Sequence, residues 1–273
     1  MKPPTQHRAL FSRPREALAQ LDARERERLW RWGLRVVGRA RAEMAALIAL
    51  FVIGLGLWAF LELAEMVEDA GGRGLDQRIL MWLRPHDDLS RPIGPWWLNE
   101  AMADITSLGG IAVLGLFALI AAGFLLMRRR PGSVLRLIAA LVGGVVLSEG
   151  LKDIFERDRP AAVFRTVETL NASFPSGHAL LSTVFYLTLA VMIARSLERR
   201  RLKAYVVGAG VALALLVGIS RVYLGAHWAS DVLAGWSVGA TWAMALWLVS
   251  HLAERAMGAR AERRQTIHRP VPR

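Results

Sequence analysis

The chain contains no cysteine, which excludes disulfides and thiolate metal sites. It is also short of acid, with 23 Asp and Glu against 35 Lys and Arg, for a formal net charge of +12. Such an excess can mark a nucleic-acid binder. Here, however, the basic residues fall in short clusters beside apolar runs and form no interleaved basic and aromatic surface, so nucleic acid is not an expected partner and membrane topology accounts for the charge. No signal peptide is expected, because the basic N-terminal region is too long and no small-residue cleavage site closely follows the first apolar run. Internal repeats and low-complexity linkers are absent as well. What is abundant is apolar sequence: 54% of the 273 residues are hydrophobic and the mean hydropathy is +0.32. That composition points to one integral membrane domain.

Six apolar runs approach the length a bilayer requires, at about residues 44–66, 105–127, 134–151, 179–194, 204–219 and 232–250. The turn Arg128-Arg-Arg-Pro-Gly-Ser133 carries the positive charge of a cytoplasmic loop, and so does the connection with Arg195, Arg199, Arg200, Arg201 and Lys203. An even number of spans puts both termini inside and the segments 67–105, 152–177 and 221–230 outside. The expected fold is therefore all-α, a polytopic six-helix transmembrane bundle in the cytoplasmic membrane with its active site on the outer face. Its parts would be a basic cytoplasmic arm (1–42), two spans with an outer interfacial loop (43–132), a four-span core (133–250) and a basic cytoplasmic tail (251–273).

Local features fill in this scheme. The arm places Leu18, Leu21, Leu29, Trp32 and Val36 at roughly helical spacing, so it either lies on the inner leaflet or is a solvated charged helix. Glu62 and Glu65 at the end of the first run should reach the interface. Residues 67–105 read as a helix on the outer surface followed by a loop, with Trp82, Trp96 and Trp97 in an interfacial belt; a substrate lid is the alternative. Gly143, Gly144, Gly208, Gly210, Gly218, Gly235 and Gly239 would let helices approach closely. Lys152, Arg157, Arg159 and Arg165 lie outside against the positive-inside trend, and a local violation of a strong rule marks where function is to be sought.

Three stretches carry chemistry. In Asn171-Ala-Ser-Phe-Pro-Ser-Gly-His178, small and titratable residues interrupt the apolar pattern. Pro and Ser suit the start of a helix, whose first amides have no intrahelical partner, so the segment is either an anion cradle or merely a turn between membrane helices. Upstream, Lys152 and Arg159 stand seven residues apart and would share a face if the segment were helical. Downstream, Ser220-Arg221 leads to His227 and Asp231 at i, i+4 spacing, which lets a carboxylate reach an imidazole. Asp153, Glu156, Arg157 and Asp158 read as a solvated, charge-paired face without a role.

Together the three stretches resemble the signature of the type-2 phosphatidic acid phosphatase and vanadium haloperoxidase superfamily. Its pattern is Lys, six residues, Arg-Pro; then Pro-Ser-Gly-His; then Ser-Arg, five residues, His, three residues, Asp. The chain matches it without a mismatch at Lys152/Arg159-Pro160, Pro175 to His178, and Ser220-Arg221/His227/Asp231, over roughly residues 133–250. The resemblance implies a membrane lipid phosphatase without a cofactor. His227 would be the nucleophile, oriented by Asp231; His178 would protonate the leaving group; Lys152, Arg159 and Arg221, with Ser176 and the Gly177 amide, would cradle the phosphoryl oxygens. No metal site is expected, since three convergent cations would repel a divalent ion.

The expected partners are the bilayer and a lipid phosphate, of the undecaprenyl diphosphate, phosphatidic acid or phosphatidylglycerol phosphate class, hydrolysed through a phosphohistidine. The fourth run spans roughly 16 residues, about 24 Å at helical rise against a ~30 Å hydrocarbon core, which sets the site near headgroup depth. Two alternatives stand beside this reading: a vanadate-dependent haloperoxidase, which six apolar spans disfavour, and a non-enzymatic scaffold or transporter, which the complete motif set disfavours.

Overall fold

The structure, a computed structural model, describes residues 22–68, 70–167 and 172–267. Among the described residues there are eight α-helices, one short 3-10 turn and no strand. We number the helices α1 (Ala23–Glu68), α2 (Ala70–Trp82), α3 (Trp96–Ser107), α4 (Ile111–Met127), α5 (Pro131–Phe155), α6 (Gly177–Ser196), α7 (Arg200–Tyr223) and α8 (Ala229–Ile267); the 3-10 turn covers Ala162–Phe164. The chain divides into two compact units, Met1–Ile48 and Ala49–Arg273. In the first, the described residues from Ala23 are helical, Arg31 pairs with Glu27 one turn away, and Trp30 and Trp32 are exposed. Leu18 and Leu21 of the expected arm lie outside the described residues.

The second unit is organised around α6, which packs against α5, α7 and α8. Leu180, Leu181, Val184, Phe185 and Tyr186 of α6 meet Leu114 of α4 and Leu137 and Ala140 of α5 in the main apolar core. Close approach is possible where a helix presents no side chain. A Cβ on Gly235 would lie 2.6 Å from the Ser176 carbonyl, and one on Gly239 would lie 2.7 Å from that of Leu180, so α8 rides directly on the α6 backbone. Gly208, by contrast, has open space around it and plays no such part.

Among the described residues five helices are long and apolar enough to cross a membrane, and a sixth crossing arises if α3 and α4 count together. The expected continuous second span is instead bent by 51° at Leu108–Gly110. The reason lies in two adjacent glycines and what packs on them. Gly110 caps α4 in an extended conformation, and Gly109 passes so near His178 and Val217 that no side chain fits there. The outer surfaces of the bundle carry large exposed apolar side chains, such as Phe51, Leu119 and Val146, as lipid contact demands.

The segment 67–105 also departs from expectation. Its helix α2 does not merely lie on the surface: Asp76 is 3% exposed and Arg84, just beyond the helix, is 3% exposed. Arg84 donates to the carbonyls of Tyr223 (3.1 Å) and Phe164 (2.7 Å), tying three loops together at one end of the bundle. The loop it pins turns at Gly225, whose φ of +69° suits a residue without a side chain.

Candidate active site

The three motifs meet at that end of the bundle. The Ser173–Ser176 segment enters first, anchored by Phe174, which is fully buried and contacts Phe155 (ring centroids 4.9 Å apart) and Phe60 (5.8 Å). Each such aromatic contact adds about 0.5–1.5 kcal/mol beyond simple burial. This apolar anchor holds two polar neighbours in place. The Ser176 amide donates to the Asp231 carbonyl (2.9 Å), and the Ser176 hydroxyl caps α6 by accepting from the Ala179 amide at 3.5 Å. Its hydroxyl thus faces its own helix start, where the free amides of the first turn gather. A Cβ on Gly177 would meet Ser148 Oγ at 3.0 Å and Lys152 Nζ at 3.4 Å, so the bare glycine lets Lys152 reach the helix N-terminus.

Lys152 and Arg159 do not share a helical face. Helix α5 ends at Phe155, Glu156 adopts a left-handed conformation (φ 40°), and the chain leaves the helix before Arg159. Lys152 is paired with Glu149 (2.7 Å). Arg159 donates to the carbonyls of Ala226 (2.9 Å) and Ala172 (3.2 Å) and approaches His227 Nε2 at 3.1 Å. Burial holds the Arg159 guanidinium somewhat below its ordinary range, with Asp231 opposing the effect, but the group stays charged.

The Arg159 contact determines the His227 tautomer. A guanidinium can only donate, so Nε2 is the acceptor and the proton sits on Nδ1. That proton has a partner: Nδ1 lies 2.8 Å from the Ser173 carbonyl. Asp231 Oδ2 is farther, at 3.5 Å. His227 sits in the turn before α8 and Asp231 in its first turn, so the i, i+4 relation operates across a helix start and not along a helical face. His227 is 2% exposed. Burial, above all, pushes it down to about 4; Asp231 works against that shift, and the nearby Arg221 and Arg159 add to it. At neutral pH the ring is uncharged, with Nε2 basic and unprotonated.

Asp231 is 0% exposed and heavily solicited. It takes hydrogen bonds from the Ser173 hydroxyl, the Trp228 amide (2.9 Å) and the Arg157 guanidinium. Arg157 in turn donates to Ser230 (2.8 Å) and pairs with Asp76 (2.7 Å), which also accepts from the Ser230 amide (3.0 Å). Arg157, its side chain 9% exposed, is therefore a part-buried link between two buried carboxylates, not part of a solvated face. Sequence reasoning missed it, together with Asp76, Ser173 and Ser230. The one available signal was that Arg157 belongs to the outer cations that break the positive-inside trend. Asp76 had none, because its partners lie 81 and 154 residues away.

Arg221 and His178 complete the cluster. Arg221 stands in the last turn of α7, where a cation is favoured, and donates to Thr106 of α3 (3.2 Å). Its Nε and the Ser148 hydroxyl are buried without a hydrogen-bond partner. Such donors cost about 1–3 kcal/mol unless something accepts from them. His178 lies in the first turn of α6 against Gly109 and Gly110, within the fields of Arg221, His227, Lys152 and Arg159. All eight residues singled out in the sequence thus fall in one cluster: two imidazoles, three cations, a capping serine, a glycine amide and a carboxylate. Among the described residues no group of three His, Asp or Glu side chains is arranged to hold a metal ion.

Comparison with known proteins places the chain in a family. The profile of the PAP2 superfamily matches residues 133–255. Phosphatidylglycerophosphatase B of Bacillus subtilis is 40% identical over 149 residues, covering 52% of this chain and 70% of that protein. An undecaprenyl-diphosphatase of Sulfolobus acidocaldarius is 31% identical over 120 residues, covering 42% of this chain and 54% of that one. The crystal structure of a transmembrane PAP2-type phosphatidylglycerolphosphate phosphatase from Bacillus subtilis aligns over 75% of this chain and 97% of its own, with a TM-score of 0.67 and 29% identity. The likeness reaches beyond the motifs to most of the membrane bundle, and the chain belongs to the PAP2 superfamily, among its membrane phosphatases.

Proposed function

We propose that the chain hydrolyses a phosphomonoester or diphosphate of a membrane lipid, through a phosphohistidine on His227. The observation that carries this reading is the state of His227: a neutral ring with its proton engaged at Ser173 and its basic Nε2 turned toward Arg159 among the cations. Substrate phosphoryl oxygens would take over the guanidinium of Arg159 and accept from Lys152, Arg221, Ser148 and the amides at Gly177. Nε2, released from Arg159, then attacks phosphorus while the bond to the leaving oxygen breaks and His178 protonates that oxygen. Water, deprotonated by His178, cleaves the N–P bond and frees phosphate. The three cations meet charge spread over the equatorial oxygens, which is the main demand of phosphoryl transfer.

The names of the relatives support substrates of the phosphatidylglycerophosphate and undecaprenyl diphosphate class, and the exposed Trp82, Trp96 and Trp97 support a site at headgroup depth. The catalytic core would be 133–250, with both termini cytoplasmic and the site on the outer face of the cytoplasmic membrane. This orientation rests on the Arg-rich turns at 128–130 and 195–203. Rapid-quench trapping with a labelled lipid phosphate, followed by peptide mapping, tests the chemistry: label is expected on His227 and absent in His227→Asn. Label on His178 would reverse the roles. Single cysteines at Ala162 and Arg129 test orientation, since an impermeant thiol reagent should reach only the former in intact cells.

A further inference from the structure

The motif residues occupy one end of the bundle. At the other, roughly 25 Å from His178 along α6 at helical rise, a cavity of about 710 Å³ opens between α4, α5, α6 and α8. Its wall is apolar, with Phe124, Leu189 and Met192 among the side chains that line it, and its rim carries Arg128, Arg130, Arg136 and Arg195. Two of these converge on one carboxylate: Arg136 lies 2.5 Å from Glu254 Oε1, and Arg195 lies 3.1 and 3.3 Å from its two oxygens. Nothing in the proposed reaction uses this cluster. Four guanidiniums face a single acid, which leaves an excess of three positive charges at the mouth of an apolar cavity.

We infer that this cavity binds an anionic phospholipid of the leaflet opposite the active site, with its phosphodiester on Arg136 and Arg195 in place of Glu254 and an acyl chain against the apolar wall. Charge complementarity selects the occupant. Planar guanidiniums match phosphate oxygens bidentately, and a cluster of arginines at a membrane surface attracts anionic headgroups. A zwitterionic lipid brings a cation to the same cationic rim and is disfavoured there. Glu254 already shows that the pair accepts an anion, and it acts as a built-in competitor. Its side chain is 44% exposed, so it can yield to a ligand arriving from the bilayer. The inference does not depend on the phosphatase reading.

The test is native mass spectrometry of the full-length protein in detergent, titrated with phosphatidylglycerol, with phosphatidylcholine or with inorganic phosphate. A phosphodiester is not a phosphomonoester substrate, so the adduct persists. Phosphatidylglycerol should bind in preference to phosphatidylcholine and survive equimolar phosphate. Arg136→Gln with Arg195→Gln should weaken it about tenfold or more, the worth of one charge-assisted contact, without changing hydrolysis of a soluble substrate. Glu254→Gln should strengthen it by a similar factor, a gain that misfolding cannot mimic. Equal binding of both lipids, displacement of the lipid by equimolar phosphate, or unchanged affinity in Glu254→Gln would overturn the inference.

Discussion

Replacing Arg157 with methionine keeps much of the side-chain volume but strips the shared counter-charge from Asp76 and Asp231, which are 3% and 0% exposed. Arg157 donates to both carboxylates and to Ser230, so its loss leaves two buried acids facing one another across an apolar side chain. Breaking a buried ion pair from one side costs about 3–5 kcal/mol, and a drop in melting temperature on the order of 10 °C is expected for a unit of this size. Asp231 would also shift, and with it the Ser173 hydroxyl and the Trp228 amide that it holds. Phosphate release should therefore fall even below the melting point. Asp76→Asn removes one of the two charges. Combined with Arg157→Met it should be less damaging than the sum of the single changes, by about 0.5–3 kcal/mol of coupling. The assay is thermal unfolding in detergent alongside phosphate release from a soluble phosphomonoester. If Arg157→Met melted and turned over like the parent, or if the two losses simply added, the buried link would have no energetic reality.

Three further outcomes are expected. Because burial pushes His227 down to about 4 from an ordinary 6.5, the unfolded chain binds its proton first, so this residue makes stability rise with pH between those values and fall on acidification. Melting curves over that range should show the slope, and His227→Asn should flatten it. Phe174→Ala should cost about 3–5 kcal/mol by emptying a fully buried aromatic site. It should also lower turnover more than substrate affinity, because the Ser173 carbonyl that fixes the His227 proton is its neighbour; equal effects on kcat and KM would count against that. Activity should persist in excess EDTA and be inhibited by orthovanadate if, as proposed, Lys152, Arg159 and Arg221 meet the phosphoryl charge. Loss with EDTA and rescue by a divalent ion would refute this.

Two kinds of information were legible along the chain. Hydropathy showed an all-helical membrane bundle because each span must satisfy its backbone hydrogen bonds within itself, which makes a helix readable from one local run of residues. The motifs at Lys152/Arg159, Pro175–His178 and Ser220–Asp231 were readable because their residue types and spacings stand in the sequence itself, within the stretch that the PAP2 profile matches. The fold alone decided the rest. The bend at Leu108–Gly110 follows from how close Gly109 must come to α6, which no local pattern records. The His227 proton was assigned by a carbonyl at Ser173 and a guanidinium at Arg159, 54 and 68 residues away, and a backbone acceptor leaves no trace in side-chain identity. Asp76, read as part of a surface segment, proved to be buried at the far end of an ionic link to Asp231. Charges that look solvated in sequence can be paid for by partners that only tertiary packing brings within 3 Å, since the cost of burying an ion depends on what surrounds it and not on where it stands in the chain.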